Sequence, residues 1–458
     1  AAIRGSRGAG VRVLSEASSS PTLAEVRQRL LAAMPQARWV EYESLSRDAE
    51  RTGTRLAFGQ PYRPHYRLAR ADVIVSLDDD FLYHHPAALR YTRDFAARRT
   101  AEGTGAARSM NRLHVIESGF SLTGSNADHR YAVRPSQMRS VAAGLARELA
   151  KQGVSVPPIP GESGAVPGFV AEIAADLASH KGRCLVTAGT SQPAEIHALA
   201  ALLNNALGAI GETVVYTELP DADRPEHVAG LAALAEEMRA GQVSGLIILG
   251  GNPVYDAPAD LDFAEALGRV ETSVHLSLYD DETSRRCTWH VPRAHFLEAW
   301  GDALAYDGTL SLVQPLIAPL YDGLSAIELL ARLLGETPAD GYALVRRTHA
   351  PRWAGDFERG WTQALHDGLV QKTAWPERQP TIVTAAWDGV ARGLTAALPA
   401  GEGYEIAFAP DNKLLDGRFA NNGWLQELPD PLTKLTWDNA ALVSPATGRE
   451  LGVRRDGD

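Results

Sequence analysis

Apolar residues come along this chain in two rhythms. Short, nearly continuous runs read as strands buried on both faces, whereas spacings of three and four read as amphipathic helices. VRVLS at Val11 to Ser15 is the first run. A Ser-rich turn ending at Pro21 follows, and Thr22 is placed to cap a helix carrying Leu23, Val26, Leu30 and Leu31 on one face. RWVEY at Arg38 to Tyr42, a polar helix and ADVIVSLDDDF at Ala71 to Phe81 repeat the alternation. Later runs do the same: RCLVTAG, a helix from Pro193 to Leu207, ETVVY, a helix from His227 to Ala240, and the all-apolar strand Leu246 to Leu249. Strand, helix, strand at these lengths gives βαβ units, and right-handed crossovers turn them into parallel sheets with helices on both faces. The fold class expected is α/β, as two doubly wound, mainly parallel lobes.

Punctuation along the chain sets the expected boundaries. Residues 1–152 form a first lobe, a Pro/Gly-rich stretch over 153–168 links it to a second lobe over 169–336, and residues 337–439 are an irregular, Trp- and Pro-rich extension packing on the lobes. Within that extension FERGWTQALHDGL reads as an amphipathic helix and EIAFAPD as a strand, with Trp424 and Trp437 as large anchors. The chain opens without Met and stops at GVRRDGD in what reads as a strand and turn, so it is expected to be a piece of a longer polypeptide.

Composition narrows the function classes. With 458 residues, 45% of them hydrophobic, two or three ordinary cores fit. A formal charge of -11 leaves no basic stripe for a phosphate backbone, so no nucleic-acid partner is expected. Apolar runs such as Val243 to Leu249 are far short of a membrane span. The two cysteines, Cys184 and Cys287, are about a hundred positions apart and cannot supply the roughly four thiolates of an iron–sulfur cluster; they read as small buried hydrophobes.

Candidate chemistry follows from where the loops fall. Ligands of parallel sheets bind outside the carboxyl ends of the strands, here after Ser15, Leu77 and Glu117. The loop Thr123, Gly124, Ser125, Asn126, Asp128, His129 lies at such an end, small enough for close approach and polar enough to bond a ligand; the plainer alternative is that Asp128 and Arg130 pair and pin a long loop. Asp78, Asp79 and Asp80 point alternately and cannot converge on one ion, so they read as caps for the following helix near His84 to Pro86. A second candidate is the Gly250, Gly251, Asn252, Pro253 turn. Two glycines there permit positive φ, though turn chemistry alone explains the motif. A further strand leads to Glu282 and Thr283. His290, His295 and Glu298 are too loosely spaced, with Pro292 between, for a metal site to be expected.

Several long motifs then carry a resemblance. VIESGFSLTGSNADHRYAVRP, RCLVTAGTSQPAEIHALAALLNNALG, GGNPVYDAP, DDETSRRCTWHVPRAHFLEAWGDALAYDGTLSLVQPLIAPLY and NNGWLQELPDPLTKLTWDN are similar, in this order, to the molybdopterin-oxidoreductase-like subunit of alternative complex III, a bacterial quinol-oxidising respiratory complex. Behind it stands the wider molybdopterin oxidoreductase (DMSO reductase) superfamily, which binds molybdenum through two pterin guanine dinucleotides. That superfamily's alanine-aspartate loop, Gly-Asn-Pro turn and Thr-Glu-Thr-Ala segment correspond to Ala127-Asp128, Gly251-Asn252-Pro253 and Asp281-Glu282-Thr283-Ser284. Departures are as telling. The amino-terminal cluster-binding Cys motif is absent, the superfamily's "ADVVLP" strand has become Cys287 to Pro292 with bulky Trp289, and residues 440–458 would supply only the first strand of the carboxyl-terminal barrel.

The resemblance implies a frame that kept its α/β lobes and lost the dinucleotides, so no cofactor and no catalytic or metal-ligating residue is expected in this chain, the listed loop residues being vestigial. It further implies a cluster-bearing ferredoxin-like domain elsewhere in the same polypeptide, multihaem cytochrome and membrane quinol-binding subunits as partners, and a place on the periplasmic face of the bacterial inner membrane. An active subunit binding molybdopterin guanine dinucleotide is the alternative, and a free-standing nucleotide-binding protein the third.

Overall fold

The structure is a computed structural model describing residues 7–99, 110–160, 167–353, 355–396 and 403–453. Its strands are β1 (Val11–Ser15), β2 (Arg38–Glu41), β3 (Tyr62–Tyr66), β4 (Val73–Leu77), β5 (Arg112–Glu117), β6 (His129–Ala132), β7 (Cys184–Ala188), β8 (Val214–Glu218), β9 (Gly245–Leu249), β10 (Thr272–Ser277), β11 (Trp289–Pro292), β12 (Gly301–Leu304), β13 (Leu310–Val313) and β14 (Leu369–Val370). Two parallel sheets dominate. The first runs β11-β10-β9-β1-β2 and the second β6-β5-β4-β7. The α/β class with mainly parallel sheets is therefore as expected, and the continuous apolar runs are its central strands: β1, β4, β7 and β9 are buried along their whole lengths.

Strand membership does not follow the expected division at residues 153–168. β1 pairs on one side with β2 and on the other with β9, bringing Val13 between Trp39 and Ile247, while β7 pairs with β4. The amino-terminal strands thus complete a sheet whose other half comes from residues 245–292, and the chain passes between the two sheets more than once. Parallel strands require long crossovers, and hydrogen-bond pairing carries no record of which crossover a linker interrupts. Of the linker itself, 153–160 has no regular structure and 161–166 lies outside the described residues.

Helices such as Asp48–Phe58, Met138–Lys151, Phe169–Ser179 and Ala194–Ala206 border the second sheet, whose core includes Ile74, Leu113, Leu145, Ile173 and Leu199. The first sheet has a core on each face, one around Leu231, Ile248 and Phe263, the other around Val13, Leu30 and Leu330. A smaller core gathers the antiparallel strands β12-β13-β14 and the helix Phe357–Asp367, predicted from its period, around Trp361.

Three local expectations are corrected. Ser20 rather than Thr22 caps the first helix, Pro21–Ala33, accepting from the Leu23 N–H at 3.0 Å; Thr22 is fully buried and bonds Asp302 instead. EIAFAPD, over residues 405–411, forms no strand. Residues 440–453 hold no strand either but a helix, Pro445–Glu450, because Ser444 caps it and Pro445 takes the first turn, where a missing N–H costs nothing.

Contacts divide the chain into Ala1–Ala409 and Pro410–Asp458. Within the second unit Asp430 accepts from the Leu432 and Thr433 N–H groups at 2.9 and 2.7 Å, and Trp424 and Trp437 are exposed. No helix among the described residues is long and apolar enough to cross a membrane.

Candidate functional site: the carboxyl ends of two parallel sheets

The predicted residues fall into two groups, one at the carboxyl end of each parallel sheet. At the end of β4 the three aspartates take three separate roles. Asp78, in the left-handed region at φ +58°, ties the neighbouring loops together: its carboxylate accepts from the Ser118 N–H at 3.0 Å, the Ser191 hydroxyl at 2.8 Å and the Gln192 amide at 2.9 Å. Asp79 is buried, its backbone bracketed by Ser76, and burial pushes its carboxyl up to about 7. Asp80 accepts from the Thr123 N–H at 2.8 Å and hydroxyl at 2.6 Å. The expectation that this cluster caps a helix near His84 to Pro86 is thus replaced: Asp80 holds the one-turn helix Leu122–Ser125 in the facing loop.

That loop is bound into the protein. Thr123 is fully buried and also accepts from the Leu82 N–H at 3.1 Å. A Cβ at Gly124 would lie 2.1 Å from the Glu117 carboxylate and force it to shift from its buried place, where it is bonded to Ser121 and Arg130. The expected Asp128–Arg130 pair does not form. Asp128 accepts from Arg99 and, at 2.7 Å, from the Leu113 N–H, whereas Arg130 turns to Glu117 and stacks on Phe120. Burial raises the Asp128 pKa, but Arg99 and the Leu113 N–H outweigh it and hold the carboxyl below its usual range. His129 stacks on His114 at 4.9 Å, and His114 meets Asp176 at 2.9 Å. Ser125 and Asn126 are exposed and bond back to the Leu122 carbonyl at 2.7 and 2.8 Å.

At the end of β9, Gly250 and Gly251 both take positive φ, +74° and +72°, which a side chain would resist. Asn252 accepts from the Thr283 N–H at 3.1 Å and hydroxyl at 2.7 Å and donates to Glu282 at 2.7 Å. That bond from Asn252 holds the Glu282 carboxyl below its usual range. One residue overlooked in the sequence, His275, completes the group with Ser284. His275, buried on β10, meets the Gly251 carbonyl through Nε2 at 3.0 Å and the Ser284 hydroxyl through Nδ1 at 2.8 Å. Since the carbonyl can only accept and burial lowers the His275 pKa, the neutral ring carries its proton on Nε2, and the one hydrogen of the Ser284 hydroxyl is shared between Nδ1 and the Tyr279 carbonyl, 3.2 Å away. Ser284 then accepts from His290 Nδ1 at 2.9 Å, and its N–H donates to Asp281 at 2.9 Å. The signal was present: Ser273, His275 and Ser277 alternate along β10 with Val274 and Leu276, placing polar groups on one face of an interior strand.

No group of three or more His, Cys, Asp or Glu residues able to hold a metal ion exists among the described residues, and His295 and Glu298 instead bond locally, the His295 N–H donating to Glu298 at 3.0 Å. Cys184 is buried and Cys287 half-buried, both unpaired. A groove of about 560 Å³ lies beside the helix Ala88–Ala96, lined by residues such as Leu82, Tyr83, Pro86 and Leu89 and by none of the candidate residues.

No protein-family model and no curated protein matches the chain. Among solved structures it is similar to acetylene hydratase from Pelobacter acetylenicus, with a TM-score of 0.51 at 12% identity over 76% of this chain; it spans 56% of that protein's length. The formyltransferase/hydrolase complex from Methylorubrum extorquens matches at a TM-score of 0.47 and 14% identity, over 76% of this chain and 95% of that one, too low a score to carry an argument. At such identities the likeness concerns the fold. In class, then, this is an α/β protein with two main parallel sheets, sharing its fold with acetylene hydratase over 76% of the chain.

Proposed function

We propose that this chain is the non-catalytic frame of a molybdopterin-oxidoreductase-like subunit, a structural and docking part of a quinol-oxidising complex of the alternative complex III kind. The observation that carries this reading is that the side chains at both sheet ends bind one another. Thr123 is taken by Asp80, Asp128 by Arg99, and Asn252 by Thr283 and Glu282. A pterin guanine dinucleotide would need these same donors and acceptors, and a bulky ligand over Gly124 would meet the Glu117 carboxylate. That these groups are committed to one another supports a chain that does not hold that group. The motif resemblance and the fold shared with acetylene hydratase both support the frame. On this reading the ferredoxin-like domain, multihaem cytochromes and quinol-binding membrane subunits dock around it on the periplasmic face, and electrons pass through them rather than through this chain.

Metal analysis of the purified protein, together with fluorescence of oxidised pterin, tests the reading. Background molybdenum and no pterin signal are expected; stoichiometric amounts of both would establish the active dinucleotide-binding subunit instead. Asp128→Ala should loosen the loop yet leave electron transfer by the assembled complex close to wild type, and loss of activity in a complex that still assembles would count against a structural role.

A further inference from the structure

A small, partly enclosed space lies between the helix Asp48–Phe58, strand β7 and the helix Ala194–Ala206. Its volume is about 30 Å³, and Glu50, Thr54, Tyr66, Thr187, His197 and Asn204 are among the residues that line it. That is roughly the share of one molecule in liquid water. Two of the lining atoms are buried with no protein hydrogen bond of ordinary geometry: the Thr187 hydroxyl, which lies near the Asp79 carboxyl and counters the burial that raises it, and His197 Nε2, on side chains 0% and 6% exposed. Such orphaned groups are costly, and one bridging water satisfies both.

We propose that this space is a binding site for a single ordered water molecule, which fixes the tautomer of His197 and through it the loop 189–192. The remaining polar groups suit that ligand. The Asn204 amide is already committed, accepting from the Val186 N–H and donating to the Val186 carbonyl, both at 2.8 Å. Glu50 accepts from Arg47 at 3.1 and 2.6 Å and keeps lone pairs for a further hydrogen. Burial lowers the His197 pKa to about 4, so the ring is neutral at ordinary pH, and the carbonyls of Gly189 and Gln192 favour its proton on the side facing the loop. Nε2 is then a bare acceptor. The water donates one hydrogen to it and the other to Glu50, and exchanges a third bond with Thr187. Gln192, in the loop that His197 holds, donates to Asp78 at 2.9 Å, so the water stands two bonds behind the first sheet end.

A crystal structure of the chain at a resolution that shows ordered water tests this, with ¹⁵N-histidine NMR as an independent readout. One density peak is expected within hydrogen-bond distance of Thr187 Oγ1 and His197 Nε2, and His197 should titrate as the Nδ1–H tautomer. Thr187→Ser should keep the peak. Thr187→Val, of nearly equal volume, should lose or weaken it and mix the His197 tautomers. An empty cavity, xenon entering it under pressure, a heavier ion in place of water, or a His197 proton on Nε2 in the wild type would each overturn the proposal.

Discussion

The two sheet ends resemble each other in position and differ in what ties them. After β4 and β5 the loops are knotted by carboxylates that are buried or half-buried: Asp78 on Ser118, Ser191 and Gln192, Asp80 on Thr123, Glu117 on Arg130. After β9 and β10 neutral ties, an Asn252 amide on Thr283 and a His275 ring between Gly251 and Ser284, stand beside carboxylate ones, Glu282 on Asn252 and Asp281 on Ser277 and Ser284. Hydrogen bonds to ionised groups are about twice as strong as neutral ones. The first end carries more of them, and the second adds a turn built on two glycines of positive φ.

The sharpest way to break that contrast is at two glycines. A Cβ at Gly189 would lie 1.7 Å from the Asp78 carbonyl, so backbone must shift, and Gly189→Ala should destabilise by about 3 kcal/mol or more in chemical denaturation. Asp80→Ala comes next. It strands the Thr123 N–H and hydroxyl, and a loss of about 2–3 kcal/mol is expected, with faster hydrogen exchange confined to residues 122–126. Asn252→Ala should cost less, about 1–2 kcal/mol, because the acceptor it removes from the buried Thr283 N–H and hydroxyl is a neutral amide rather than a carboxylate. Gly251→Ala, with only an ordinary contact to Glu16 but a φ of +72°, should cost about 1 kcal/mol. Equal losses at the two glycines would dissolve the distinction between the two ends.

pH sharpens it further. Asp79 has a folded-state pKa near 7 against an unfolded value of 3.8, so its contribution is full below about 3.8 and is lost as pH rises through 7. Asp79→Asn should remove this loss. Between those limits the wild type should fall relative to the variant by up to about 1.4 kcal/mol per pH unit, measured as the difference of two denaturation series. No comparable carboxyl lies at the second end, where Glu282 is shifted the other way.

Much of the frame could be read from the pattern of residues. Continuous apolar runs marked β1, β4, β7 and β9, and the candidate loops were located by their positions after strands. What those loops do internally could not be read. Asp128 is separated from Arg99 by 29 positions, and Asn252 from Thr283 by 31, so neither pair leaves a local signature. The nearer candidate, Arg130, instead pairs with Glu117, 13 positions away at the end of β5. Alternation of polar residues along β10 did mark His275, but only burial gave that alternation its meaning.

By itself the sequence determined that this protein is α/β, where its strands end, and that glycine and small polar residues gather at those ends, since each of these follows from local periodicity and turn chemistry. Tertiary structure alone decided that β1 lies between β2 and β9, that three adjacent aspartates serve three different partners, and that the polar groups at both ends are bonded to one another. Strand pairing and buried side-chain bonds join residues far apart in the chain, and such contacts exist only once the sheets have brought them together.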